Sequence, residues 1–273
     1  MGSRGMWLLS AVAALLGSCT TIPPSRTADQ LGSPPARFSN AAFDVVLRRY
    51  VDDRGLVDYA GLQAQPAPLN HYYDLVAAYS PDNAPPLFPT RNDALAYWIN
   101  AYNAAVMRTV LEYYPIESVG DVDGWLPGKA GFFVLQRLTF GGETGNLYDL
   151  ENTVIRGRYH EPRVHFALNC ASRGCPRLPR YAFTGDVLDV QLDQEARRFV
   201  AEDRNVRIDH DQRRVELSSI FKWYREDFGE DLLGYIARYS TPERAAELSR
   251  ASAYEIEFVE YDWRLNDQRS ERP

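Results

Sequence analysis

Residues 163–176 read RVHFALNCASRGCP and bring His165, Asn169, Cys170, Ser172 and Cys175 into one short stretch. Three chemistries are open to such a set. Cys170 could serve as a nucleophile with His165 as its base. Cys170 and Cys175 could close a disulfide. Both sulfurs together with His165 could hold a metal ion. The spacing bears on each of them. The run RVHFAL is apolar enough to read as a buried strand, with Arg163, His165, Ala167 and Asn169 on one face and Cys170 on the other. Five extended residues put about 16 Å between the Cα atoms of His165 and Cys170, too far for a dyad along a straight strand. The two cysteines are better placed for each other. Ala-Ser-Arg-Gly separates them, and Gly174 permits the positive φ that a tight loop can require. The spacing His-x4-Cys-x4-Cys matches no standard zinc module and shows no evident fourth ligand, so no metal site is expected.

Other polar groups sit where apolar ones would be the default. Asn100 and Asn103 share one face of an otherwise apolar helical stretch. Asparagine is a mediocre helix former, so two among core aromatics need a reason. Either their amides satisfy the backbone of a neighbouring loop, or they orient a histidine or donate to a developing negative charge. Asp149 and Glu151 fall near the start of a short helix, where carboxylates commonly compensate the N-terminal dipole. Pointed inward, Glu151 would instead suit the orientation of an imidazole. Of the four histidines, His71 and His210 read as structural or exposed, which leaves His165 as the one in an apolar segment.

The elements that must position these groups form one mixed domain. Its expected limits are 38–266, between a tether over 19–37 that is rich in Pro, Ser and Thr and a disordered tail over 267–273. Apolar periodicity predicts helices in AAFDVVLRRYV, LNHYYDLVAAY and VLDVQLDQEARRFVAED, and above all in NDALAYWINAYNAAVMRTVLEYYP, which Pro115 stops. FFVLQRLTFGGETG reads as two short strands around a turn, followed by a helix over 147–157. NVRIDHDQRRVELS reads as a hairpin, SSIFKWYREDF and DLLGYIARYS as helical, and YEIEFVEYDW as a last strand. The fold class is therefore α+β, with a helix-rich first half packed on a small, mainly antiparallel sheet.

The chain of 273 residues carries a formal charge of −7, which argues against non-specific nucleic-acid binding. Arg4 followed by MWLLSAVAALL has the make-up of a signal peptide over residues 1–18, and its apolar run is too short to span a bilayer. Leu16-Gly17-Ser18-Cys19 resembles the lipobox of bacterial lipoproteins. That resemblance implies acylation of Cys19 and a membrane anchor on the mature chain. With Thr20 following, it implies the outer membrane of the cell envelope, facing the periplasm. Export also favours an oxidised Cys170–Cys175 pair. There is no glycine-rich phosphate loop, dinucleotide fingerprint or Gly-x-Ser-x-Gly elbow, and no cofactor is expected.

Taken together, AYWINAYNAAVMRTVLEYYP, NLYDLENTVIR, RVHFALNCASRGCPRL, SSIFKWYREDFG and YDWRLN resemble the family called domain of unknown function 547, over about residues 85–265. Its recurring positions correspond to Trp98, Asn100, Asn103, Asp149, Glu151, His165, Asn169, Cys170, Ser172 and Cys175. Where the family commonly has a histidine after Asp-Ile-Glu, this chain has Asn152. The resemblance carries no settled activity. Two readings follow. In one, Cys170, His165, Glu151 and Asn103 form the centre of a thiol-dependent amide hydrolase or acyl transferase. In the other, Trp98, Asn100, Arg163, Asn169 and Ser172 help line a polar pocket beside a Cys170–Cys175 bridge, for a small-molecule, peptide or protein partner.

Overall fold

The computed structural model describes residues 19–123 and 129–271, so the expected leader over 1–18 lies outside the described residues. Twelve short to medium helices and six strands are described, in the order that follows. Strand β1 (Thr20–Thr21) precedes helices α1 (Ala28–Leu31), α2 (Ala41–Tyr50), α3 (Tyr59–Ala64), α4 (Ala67–Ala78) and α5 (Arg91–Tyr113). Then come α6 (Ala130–Phe133), β2 (Gln136–Phe140), β3 (Glu143–Gly145), α7 (Leu147–Asp149) and α8 (Gly157–Tyr159). The second half holds α9 (Leu188–Ala201), β4 (Val206–Asp209), β5 (Arg214–Leu217), α10 (Ser219–Trp223), α11 (Leu232–Arg238), α12 (Pro242–Arg250) and β6 (Glu255–Phe258). The class is α+β, as the sequence pattern indicates.

Helix α5 is the axis of the larger core. It is buried over nearly its whole circumference from Leu95 to Leu111, Asn100 and Asn103 included. Its start is set by Thr90, whose hydroxyl accepts from the Asp93 backbone N–H at 3.0 Å while the Asp93 carboxylate accepts from the Thr90 N–H at 3.1 Å. This reciprocal arrangement is a capping box. Tyr102 of this helix and Phe132 are both fully buried in the same core. A second cluster, built on Phe166, Phe199, Phe221 and Phe228, joins α9, α10 and α11 to strands β4 and β5.

The sheet differs from the expected mainly antiparallel one. Among the described residues there are two three-stranded sheets, each with one antiparallel and one parallel pairing. In the first, β2 pairs antiparallel with β3 and parallel with β1, in the register Thr20↔Gln136. In the second, β5 pairs antiparallel with β4 and parallel with β6. The hairpins form where the turn residues put them. The parallel partners come from segments far away in the chain, which local patterning does not report.

Both ends of the domain are more ordered than their composition suggests. Within the expected tether, β1 joins the sheet, Ile22 is fully buried, and the backbone N–H of Ser25 donates to Asp74 at 2.6 Å. Within the expected tail, Asp267 is buried and Gln268–Glu271 forms a 3₁₀ turn, tied by Gln268 N–H to Val57 O at 3.0 Å. A few well-placed apolar and carboxylate contacts dock these polar segments.

The largest departure concerns RVHFAL. Pro162–Phe166 is a 3₁₀ helix, not a strand. Glu161 caps it by accepting from the Arg163 N–H at 3.1 Å, and Pro162 supplies the pre-set φ of a first helical position. The alternation of faces and the 16 Å separation therefore do not apply.

Candidate functional site

A cavity of about 630 Å³ opens between the α7–α8 segment, the 3₁₀ helix at Pro162–Phe166, helix α10 and the C-terminal chain. His165, Glu151, Cys170 and Cys175 all line it, so the structure brings together four of the residues singled out above.

Glu151 is positioned by a widened turn. The helix expected over 147–157 is interrupted at Leu150–Arg156 by π-helical hydrogen bonding, a form that recurs at functional sites. The wide turn presents Glu151, Asn152 and Arg156 to the same cavity, and Arg156 Nη1 reaches Asn152 Oδ1 at 2.6 Å. Both oxygens of Glu151 are engaged. The Tyr102 hydroxyl donates to Oε2 at 3.1 Å and the Tyr224 hydroxyl to Oε1 at 2.5 Å. Burial, reinforced by the charge of Glu151, pushes both phenols well above their ordinary range, so they remain neutral donors. Asp149 instead has a local role, with its carboxylate accepting from Asn146 Nδ2 at 2.8 Å.

His165 is only 3% exposed, and its partners come from a distant part of the chain. Its ring stacks on Tyr224 with centroids 3.9 Å apart, and Nε2 lies 2.6 Å from Asp227 Oδ2. Arg156 grips the same carboxylate, Nε to Oδ2 at 2.7 Å and Nη2 to Oδ1 at 3.1 Å. Burial works against the charge on Asp227. Even so, the hydrogen bonds from His165 and Arg156 hold its carboxyl far below the usual range. An ionised carboxylate only accepts, so His165 Nε2 is the donor in this pair.

The cysteines are joined, with Sγ to Sγ at 2.04 Å. Cys170 therefore offers no thiolate, and the thiol-nucleophile chemistry considered from sequence lacks its reacting atom. The loop is held from outside by the C-terminal chain, through Gly174 N–H to Asp262 O at 2.8 Å and Arg173 N–H to Arg264 O at 2.9 Å. Gly174 is not where φ turns positive. That conformation falls on Ala171, at φ 59°. Gly174 is needed for close approach, because a Cβ there would meet the Tyr261 ring at 2.9 Å.

The remaining candidates lie elsewhere. Asn103 donates to Ala167 O at 2.9 Å and accepts from the Asn169 N–H at 2.9 Å, clamping the strand of chain that follows His165. Asn100 does the same for Phe183, at 2.8 and 3.0 Å. Neither amide faces His165, and both satisfy buried backbone, which is the first of the two roles considered for them. Asn169 donates to Pro176 O at 2.7 Å and, with Ser172, lines a second cavity on the other side of the disulfide. Trp98 lines a different cavity, with Asp149. Arg163, expected to share a face with His165, is instead held by Glu161, Asp189 and Asp193 at 2.7 to 2.8 Å. The 3₁₀ turn rotates it away from the imidazole.

Tyr224, Asp227 and Arg156 do not stand out in the sequence, and neither does the aromatic group Trp223, Tyr261 and Trp263, whose ring centroids lie 4.6 to 5.8 Å apart on the cavity wall. The signal lay in SSIFKWYREDFG and YDWRLN, two of the segments that carried the family resemblance without an assigned role.

Residues 87–200 match the model of the family described as "Protein of unknown function, DUF547", which supports that resemblance. The matched region holds Glu151, Arg156, His165 and both cysteines. Tyr224, Asp227 and Tyr261 lie beyond it. No curated protein and no solved structure matches the chain.

Proposed function

We propose that this chain is a bacterial envelope lipoprotein, anchored through acylated Cys19 to the outer membrane and facing the periplasm. In this reading its central cavity binds a small molecule or short peptide. The leader and the lipobox-like Leu16-Gly17-Ser18-Cys19 support the anchor. The Cys170–Cys175 bridge supports an oxidising compartment, because such bonds are rare in the cytosol.

The observation that carries the binding reading is Glu151, fixed by Tyr102 and Tyr224 on the wall of a 630 Å³ cavity whose other walls are largely aromatic. That volume falls in the range of small-ligand sites, and a few placed polar groups among apolar walls are their usual make-up. Arg156 is already neutralised by Asp227 and Glu226, so Glu151 is the carboxylate left to meet a ligand. The complement is a compound with an apolar body and an amine or amide N–H. Trp223 and Trp263 on the wall supply a fluorescence signal for titration with short peptides and amino sugars. Saturable binding that Glu151→Gln weakens at least tenfold supports the reading. Equal binding by the variant, or none by the wild type across the panel, overturns it.

A further inference from the structure

We propose that the Cys170–Cys175 bridge is a thiol–disulfide exchange site, attacked at Cys170 and releasing Cys175, with a small dithiol as its reaction partner. This rests on the surroundings of the two sulfurs and stands apart from the ligand reading of Glu151, so either can fail alone.

The two sulfurs are not equivalent. Both border the cavity, but Cys170 is half-buried whereas Cys175 is only 3% exposed. Three donors surround the buried sulfur. The backbone N–H of Cys170 lies 2.8 Å from Cys175 Sγ, the Tyr261 hydroxyl 3.1 Å, and the Ser172 hydroxyl 3.4 Å. The two hydroxyls also reach Cys170 Sγ, at 3.1 and 3.2 Å, so the backbone N–H is the donor that favours Cys175 as the leaving sulfur. A disulfide sulfur is a weak acceptor and draws little from such an arrangement. A thiolate in the same place would gain charge-assisted hydrogen bonds from all three. The ring of Tyr261 is fixed for the task, packed on Trp223 and Trp263 and against the flat face left by Gly174.

The chemistry balances without a further reactant. A thiolate of the dithiol attacks Cys170 Sγ. The new S–S bond forms as the Cys170–Cys175 bond breaks, and the electron pair leaves on Cys175. Exchange is faster when the leaving thiol is more acidic, which is what the three donors provide. The second thiolate of the dithiol then attacks its own sulfur in the mixed disulfide and releases Cys170. The dithiol ends as a disulfide, two electrons poorer, and the protein holds two thiols.

The test uses the folded full-length chain with glutathione and dithiothreitol as probes. Glutathione forms a mixed disulfide that mass mapping places on Cys170, and dithiothreitol reduces the bridge without loss of the circular dichroism spectrum. Tyr261→Phe keeps the ring and removes the donor, and it slows reduction about tenfold. Ser172→Ala is the second, smaller lesion. The proposal is overturned if the bridge resists dithiothreitol until the protein unfolds or if the adduct sits on Cys175. It is equally overturned if both variants react as fast as the wild type.

Discussion

His165 Nε2 and Asp227 Oδ2 lie 2.6 Å apart although 62 residues separate them in the chain. That contact is where the two halves of the molecule meet at the cavity, and Arg156 reinforces it from a third segment. Its worth depends on the charge of Asp227. The carboxyl is depressed in the folded state, so its stabilisation is present in full above the unfolded value of about 4 and is lost as the pH falls from there. Asp227→Asn is therefore expected to cost about 2 kcal/mol at neutral pH, and the gap to the wild type closes on acidification. Urea titrations at several pH values check this. A gap that does not change with pH would show that the carboxylate is not its source.

Tyr224 serves Glu151 with its hydroxyl and both His165 and Arg156 with its ring, and substitutions separate the two ends. Tyr224→Phe keeps the stack on His165 and removes the donor to Glu151, for about 1 kcal/mol of stability. Tyr224→Leu removes both and costs about 3 kcal/mol. Chemical denaturation ranks the two. Equal losses would mean that the stacking contributes nothing.

Asn103→Ala strips the Ala167 carbonyl and the Asn169 N–H of their buried partner at once. Each stranded group costs about 1–3 kcal/mol, so a loss near 3 kcal/mol is expected, large for one side chain. If the variant unfolds within 1 kcal/mol or so of the wild type, water has taken the amide's place and the clamp is dispensable.

Much of the fold was legible because its signals are local. The stripe along Arg91–Tyr113 and the hairpin at 206–217 both follow from periodicity and turn residues. RVHFAL was not, because a short apolar run does not distinguish strand from helix. The deciding signal was Glu161-Pro162, a cap followed by a residue suited to a first turn. Within the site, His165, Glu151 and the bridged cysteines stood out as polar groups in apolar surroundings. Tyr224 and Asp227 did not, since an aromatic and an acid on a short surface helix look ordinary until tertiary packing brings them to the imidazole.

The proposed anchor makes a prediction of its own. Cys19→Ser in the expressed chain moves the protein from the membrane fraction to the soluble one and abolishes labelling by a fatty-acid analogue. Continued sedimentation of the variant with membranes would remove the lipid from the account.

The pairing of Thr20 and Thr21 with Gln136 and Arg137 begins at the residue right after Cys19. Acyl chains at Cys19 would then have almost no leash. The protein would sit flush against the headgroups, with its tumbling frozen and one fixed side turned to the lipid. Whatever enters the cavity would meet it at a set angle and height above the bilayer.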